Sequence, residues 1–281
     1  MAEARIRVGI GGWTYEPWRG NFYPQGLAQH KELEYAAQKL TAIEINATYY
    51  RLQTASSFAK WRDSTPEDFV FSVKGSRYVT NRRVLAEAGE AIDRFMASGL
   101  AELGDKLGPI VWQFATTKVF DTDDLGAFLR LLPDRLGTRK LRHALEVRHP
   151  SFMSPEYLAL AREHDVATVY ADSDEYPRFA DLTGGFVYAR LMKTQSRHET
   201  GYEAAEIAQW AQCARDWATG SEPASLDRIE VVRAQKAAAR DVFMFFISGA
   251  KERAPAAAMA ALEELARLEQ NGGASARPSR A

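Results

Sequence analysis

Two spacings of apolar residues take turns along this chain. Short apolar runs of strand length begin at Ile6 to Ile10. They recur at Ala42 to Asn46, Phe69 to Lys74, Pro109 to Phe114, His143 to Arg148, Ala167 to Asp172, Gly185 to Met192 and Val242 to Ser248. Between them lie stretches with apolar residues three and four apart, the spacing of a helix that buries one face. These are Gln29 to Leu40, Ser56 to Trp61, Ala86 to Leu103, Asp123 to Leu132, Pro155 to His164, Glu203 to Trp217 and Pro255 to Leu268. Ser173 to Leu182 carries Pro177 and reads as a loop. Eight strands alternating with helices predict an α/β fold with parallel strands, and eight units close the sheet into a single TIM-like (β/α)8 barrel. A doubly wound open sheet is the competing architecture. Against it, the first strand is not followed by G-x-G-x-x-G, and no phosphate-cradling glycine run occurs elsewhere.

On this reading residues 1–270 form one barrel domain. Thr219 to Ala239 is an insertion before the last strand that opens with Gly220, Ser221 and Pro223, and it is expected to be mobile or peripheral. Residues 271–281, rich in Gly, Ala, Ser and Arg, are expected to be a disordered tail.

Side chains alternate faces along a strand, so each barrel strand has a helix-facing and an interior parity. One parity holds Ile43 and Ile45, Phe71 and Val73, Ile110 and Trp112, Leu145 and Val147, Val169 and Ala171, Val187 and Ala189. The other holds Glu44 and Asn46, Ser72 and Lys74, Val111 and Gln113, Glu146 and Arg148, Thr168 and Asp172, Tyr188 and Arg190. The second set is the expected interior. It brings Glu44, Glu146 and Asp172 together with Lys74, Arg148 and Arg190 near the C-terminal strand ends, where barrel enzymes keep their chemistry. Burying unpaired charge is costly, so equal numbers of the two signs imply mutual pairing. The pairs are either a structural network or the polar floor of a ligand site.

The loop after the first strand carries five aromatics, Trp13, Tyr15, Trp18, Phe22 and Tyr23. They either plug the barrel end or wall a pocket, and Trp13 and Tyr15, nearest the strand, are the pocket candidates.

Composition narrows the classes. At 281 residues the chain buries enough surface to need no staples, and its one cysteine, Cys213, excludes an internal disulfide and reads as a core filler in a reducing compartment. Thirty-six basic against 37 acidic residues, a net charge of −1, argue against general nucleic-acid binding. No run has the apolar length of a membrane span, so a cytoplasmic protein is expected.

Several stretches resemble the domain-of-unknown-function family 72, the YecE-like proteins. They are Gly12-Trp-Thr-Tyr-Glu-Pro-Trp-Arg-Gly-Asn-Phe-Tyr-Pro24, Glu44-Ile-Asn-Ala-Thr-Tyr-Tyr-Arg51, Trp61 with Thr65-Pro66, and Phe69-x-Phe71-x-Val-Lys74. Leu107-Gly-Pro-Ile-Val-Trp-Gln113, Ala144-Leu-Glu-Val-Arg-His-Pro150 and Tyr188-Ala-Arg190 continue the match to the seventh strand. The resemblance implies a TIM-barrel-like fold and no assigned activity. The family commonly has histidine where this chain has Asn81, Leu-His-Gly where it has Leu191-Met192-Lys193, and a Phe-Asn-Asn-like run where it has Phe246-Ile247-Ser248.

Among chemistries, a tightly held metal is not expected. Only His149 adjoins the charged positions, and His30, His143, His164 and His198 lack partner spacing. A carboxylate-bound Mg²⁺ through Glu44, Glu146 or Asp172 stays open, and no cofactor is expected. No G-x-S-x-G elbow is present. The residues favour a metal-independent enzyme in which Glu44, Lys74 and Glu146 supply acid and base. A small anionic, sugar-like or nucleotide-like ligand would be held by Trp13, Tyr15, Asn46, Arg51, Gln113, Arg148, Asp172 and Arg190. The alternative is a non-catalytic barrel that binds an anionic small molecule or an RNA end. A lysine among interior charges also suits Schiff-base chemistry.

Overall fold

The computed structural model describes residues 4–230 and 238–275. The apolar runs form strands β1 (Ile6–Gly11), β2 (Ala42–Ile45), β3 (Val70–Lys74), β4 (Leu107–Gln113), β5 (His143–Glu146), β6 (Ala167–Asp172), β7 (Phe186–Leu191) and β8 (Asp241–Phe246). They close a barrel in chain order, every neighbouring pair parallel. β8 meets β1 in the register Ile6↔Val242 to Ile10↔Phe246.

Helices α1 (Glu32–Lys39), α2 (Ala55–Asp63), α3 (Gly89–Met96), α4 (Thr122–Leu131), α5 (Pro155–Glu163), α6 (Ala204–Ala218) and α7 (Ala254–Ser275) surround the strands. Thr54, Asp121 and Ser154 cap α2, α4 and α5 by accepting the N–H three residues on, and Glu203 with Glu206 forms a capping box on α6. β6 is followed by an irregular loop, as Pro177 implied. The long helix expected over Ala86 to Leu103 is broken. α3 stops at Met96, Gly99 turns at φ 111°, and a 3₁₀ segment, Leu100–Lys106, leads into β4. Only glycine suits that turn twice over: the conformation is left-handed, and a Cβ there would come within 2.5 Å of Ala55 Cα in α2.

The core has two layers. Outside the sheet, Val8, Ile10, Ile43, Ile45, Phe71, Val73, Trp112 and Leu145 pack against the helices. Inside, Ala42, Val111, Ala144, Ala167 and Val169 interlock with Phe186, Tyr188, Phe243 and Phe245. Arg142 closes the N-terminal end, its guanidinium 4.7 Å from the Phe243 ring centre and paired with Asp241 at 2.8 Å.

The strand parities hold except in β6. Val169 lies inside, so Thr168, Tyr170 and Asp172 face outward. The Thr168 hydroxyl bonds that of Tyr157 in α5 at 2.9 Å, and Tyr170 lies against Trp210 and Trp217 of α6. Size explains the correction. An interior already filled by three phenylalanines and Tyr188 takes small Ala167 and Val169, and bulky Tyr170 goes to the helices.

The described part of the insertion is peripheral but docked. Ala180 N–H donates to Asp227 O at 2.8 Å, and Ile229 and Glu230 donate their N–H groups to the Asp181 carboxylate. Its residues 231–237 lie outside the described residues. The tail expected from Asn271 continues α7 as far as Ser275, and residues 276–281 also lie outside. Among the described residues no helix is long and apolar enough to cross a membrane.

The charged mouth of the barrel as the candidate functional site

At the C-terminal ends of β2, β3, β4, β5 and β7 the interior turns from apolar to charged. Arg190 is the hub. Its guanidinium pairs with Glu44 at 3.0 Å and with Glu146, and it donates to Gln113 Oε1 at 3.3 Å. Glu44 Oε2 accepts the Tyr188 hydroxyl at 2.7 Å, and the Ser72 hydroxyl stands 2.7 Å behind that. On the other side Arg148 donates Nε to Glu146 at 2.7 Å and Nη2 to Gln113 at 2.9 Å, and its guanidinium lies 4.2 Å from the Tyr176 ring centre. Glu44 and Glu146 are fully buried, and their oxygens are taken up by these donors.

Lys74 stands apart within the same ring. Its side chain is buried, yet among the described residues it makes no ion pair, and its Nζ lies 4.5 Å from the centre of the Tyr49 ring. The backbone beneath it is fixed. Thr48 donates its hydroxyl to Lys74 O at 2.7 Å, and at the next residue a Cβ on Gly75 would collide with the Trp112 ring at 2.2 Å. Burial, reinforced by Arg190 and opposed by Glu44 and Glu146, lowers its pKa to about 8. Burial alone would raise the Glu146 carboxyl, but Arg190, Arg148 and Lys74 outweigh it and hold that group below the usual range. Arg190 is raised, because Glu146 and Glu44 overcome its burial.

Asp172 does not join the ring. Facing outward at the rim, it pairs with Lys193 at 3.5 Å and Arg178 at 3.7 Å, and burial raises its pKa against both cations. The interior balance is therefore two carboxylates against three cations, where the sequence implied three of each. Asn46 sits at the mouth, its amide nitrogen close over Gly11. Arg51 is exposed and forms no ion pair among the described residues. His149 caps the turn Pro150–Phe152 and leaves the ring alone.

The aromatic loop packs largely on itself and its neighbours. Trp13 meets Trp61 edge-on at 5.1 Å and Phe71 at 6.4 Å, on the helix side of the sheet. Tyr15 lies against Trp18, with Lys251 Nζ 4.5 Å from its ring centre. Trp18 donates its indole N–H to Lys251 O at 2.9 Å, and Asn21 donates to Glu252 O, latching the first loop to the last. Trp13 and Tyr15 are thus half-buried and already engaged by protein groups. Tyr49, Tyr176 and Tyr188 are not among the candidate site residues of the sequence. Tyr188 was legible as an interior position beside Arg190, and Tyr49 lies inside the matched Glu44 to Arg51 motif.

Beside the ring, an open cleft of about 660 Å³ is lined by Thr80, Asn81, Arg82, Arg83, Val84 and the loop from Ala115 to Asp124. Tyr49 separates the two spaces: its ring faces Lys74, and its hydroxyl lies 3.4 Å from Asn81 Oδ1. The buried Thr80 hydroxyl has no hydrogen-bond partner among the described residues. Tyr50 and Tyr78, in the short helices Ala47–Tyr50 and Arg77–Thr80, and Leu52, Val84, Val119 and Met153, in the segments after β2, β3, β4 and β5, are exposed large apolar side chains at this end of the barrel. Of the departing positions, Asn81 lines the cleft, Met192 is buried, and Ile247 packs beside Gly11 and the interior cluster.

A closed parallel barrel with a charged C-terminal mouth is a TIM-like barrel. The chain belongs to the protein family of unknown function DUF72, whose model matches residues 7–280. It is 28% identical over 157 residues to the UPF0759 protein YunF of Bacillus subtilis, 54% of each chain. It is 25% identical over 149 residues to the UPF0759 protein YecE of Escherichia coli, 53% of this chain and 50% of that one. The chain thus spans about half the length of the curated relatives it matches. A DUF72 family protein from Thermotoga maritima superimposes with a TM-score of 0.68 at 22% identity, over 94% of this chain and 99% of that one. The structure named SacUVDE superimposes at 0.55 with 9% identity, over 95% and 99%, which is a likeness of fold.

Proposed function

We infer that this barrel is a metal-independent enzyme that uses general acid and base chemistry at its mouth on a small anionic, sugar-like or nucleotide-like ligand. The observation that carries the reading is Lys74, the one ring cation without an ion pair among the described residues. An excess positive charge in a buried mouth favours an anion, and a lysine lowered to about 8 exchanges its proton near neutral pH. Glu44 and Glu146 then act by holding Arg190 and Arg148 in place, while Gln113 and Arg148 face the ligand. Two carboxylates saturated by guanidinium and hydroxyl donors have little left to offer a cation, which supports chemistry without a metal.

The test is turnover. A panel of sugar phosphates, nucleotides and small carboxylates, followed by proton NMR in the presence of EDTA, should show at least one compound consumed by the protein. Lys74→Met should abolish that consumption. An anion-induced rise in Tm with no turnover of any member would favour the second reading, a non-catalytic barrel binding an anionic small molecule or an RNA end. Ile247 favours that reading, because it places an apolar side chain at the mouth.

A further inference from the structure

We propose that Lys74 is an amine nucleophile that forms a Schiff base with the carbonyl group of an anionic aldehyde or ketone. The proposal rests on the reading of the mouth as a ligand site and names the substrate class for it. Three observations carry it. No ion pair or hydrogen bond to the ring carboxylates involves the lysine amine among the described residues, since Arg190, Arg148 and Tyr188 already satisfy both carboxylates. Its Nζ rests over the Tyr49 face, which offers no lone pair to be displaced before reaction. Its backbone is pinned by Thr48 and by the close approach of Trp112 to Gly75, so the amine projects from a rigid strand end.

The surroundings fit a carbonyl compound with a charged tail. Beyond Tyr49 the open cleft is lined by Arg82 and Arg83, while Arg148 and Arg190 border the amine on the ring side. In the step itself, the neutral Nζ lone pair attacks the carbonyl carbon and the C=O π pair moves to oxygen, which takes up a proton as the nitrogen gives one up, forming a carbinolamine. A second proton then passes to the hydroxyl, the C–O bond breaks and water leaves as the nitrogen lone pair forms the C=N bond, and loss of the remaining N–H proton gives the neutral imine. Amine and carbonyl become imine and water, with no change of oxidation state. The groups facing Lys74 are Glu44 from β2, Tyr49 from the short helix Ala47–Tyr50 after it, Glu146 and Arg148 from β5 and its extension, and Arg190 from β7. Together with burial, Arg190 keeps a usable fraction of neutral amine at neutral pH.

The full chain is incubated with glyoxylate, pyruvate and glyceraldehyde 3-phosphate in turn, with sodium cyanoborohydride to reduce any imine, across a pH series centred on about 8. Intact mass and peptide mapping should show one adduct per chain at Lys74 for at least one probe. Labelling should rise with a midpoint near pH 8 and be slowed by excess inorganic phosphate. Lys74→Arg should lose that adduct while the slow labelling of exposed lysines is unchanged. The proposal falls if, with all three probes, Lys74 is labelled no faster than exposed lysines, and this is read on the wild-type chain whether or not the variant folds. If Lys74 escapes trapping while turnover in the metabolite panel persists, Schiff-base chemistry is overturned and the acid and base reading stands. If there is neither trapping nor turnover, both fall.

Discussion

Trp112 donates its indole N–H to Nδ1 of His143 across 3.1 Å, deep in the outer core. Nδ1 must therefore be an acceptor, and Nε2, 2.9 Å from Pro133 O, carries the proton. The imidazole is neutral and its tautomer fixed by two neighbours, and burial lowers its pKa.

That depression has a definite sign. The folded state resists protonation, so the unfolded chain binds the proton more readily as pH falls, and stability is full above the ordinary value of 6.5 and declines below it. Urea unfolding should show stability falling as the pH drops below 6.5. His143→Gln, which keeps an acceptor but does not titrate, should flatten it. An unchanged slope in the variant would remove His143 from the account.

The two kinds of ring residue should separate on mutation. Lys74 falls from 10.5 to about 8 on folding, so its charge opposes the folded state below pH 8, and stability rises with pH between the two values. Lys74→Met should therefore stabilise at pH 7, by up to roughly 3 kcal/mol. Glu146→Gln strands Arg190 and Arg148 and should cost about 3 to 5 kcal/mol. Urea unfolding of both variants checks the contrast. A comparable loss in each would make Lys74 part of the scaffold.

Arg190→Lys keeps the charge but removes the planar fork that spans Glu44 and Glu146. A single ammonium cannot serve both carboxylates at that spacing, so a loss of about 3 kcal/mol is expected. Stability within about 0.5 kcal/mol of wild type would show that the bridge is dispensable.

Gly99→Ala should lose about 2 kcal/mol or more, because it meets an unfavourable φ and the α2 backbone together. Calorimetry would detect the accompanying drop in Tm. Gly137, also at positive φ but with open space around it, should tolerate alanine better, which makes Gly137→Ala the control.

The barrel and most of its parities were legible because the interior and helix-facing residues differ in kind, as Glu44 beside Ile43 and Arg190 beside Ala189 show. β6 was not legible. Thr168, Val169, Tyr170 and Ala171 suit either face in isolation, and only the volume already occupied by Phe186, Phe243 and Phe245 decides between them. The break at Gly99 left the apolar spacing of Ala86 to Leu103 intact, so periodicity passed over it. Within the site, the charged residues announced themselves by burial against expectation. Which of them stayed unpaired depended on Asp172 turning outward, a fact of packing that no spacing carries.

β1 finds its second partner only in β8, some 230 residues later in the chain. During synthesis the growing polypeptide must hold β1 and each newly made strand with one ladder edge unpaired until Phe246 has left the ribosome. The latch from Trp18 and Asn21 to Lys251 and Glu252 forms later still. Translation pauses before that point would lengthen the time this protein spends with sticky edges. Its yield in cells should therefore depend on elongation rate and chaperone supply more than its equilibrium stability would suggest.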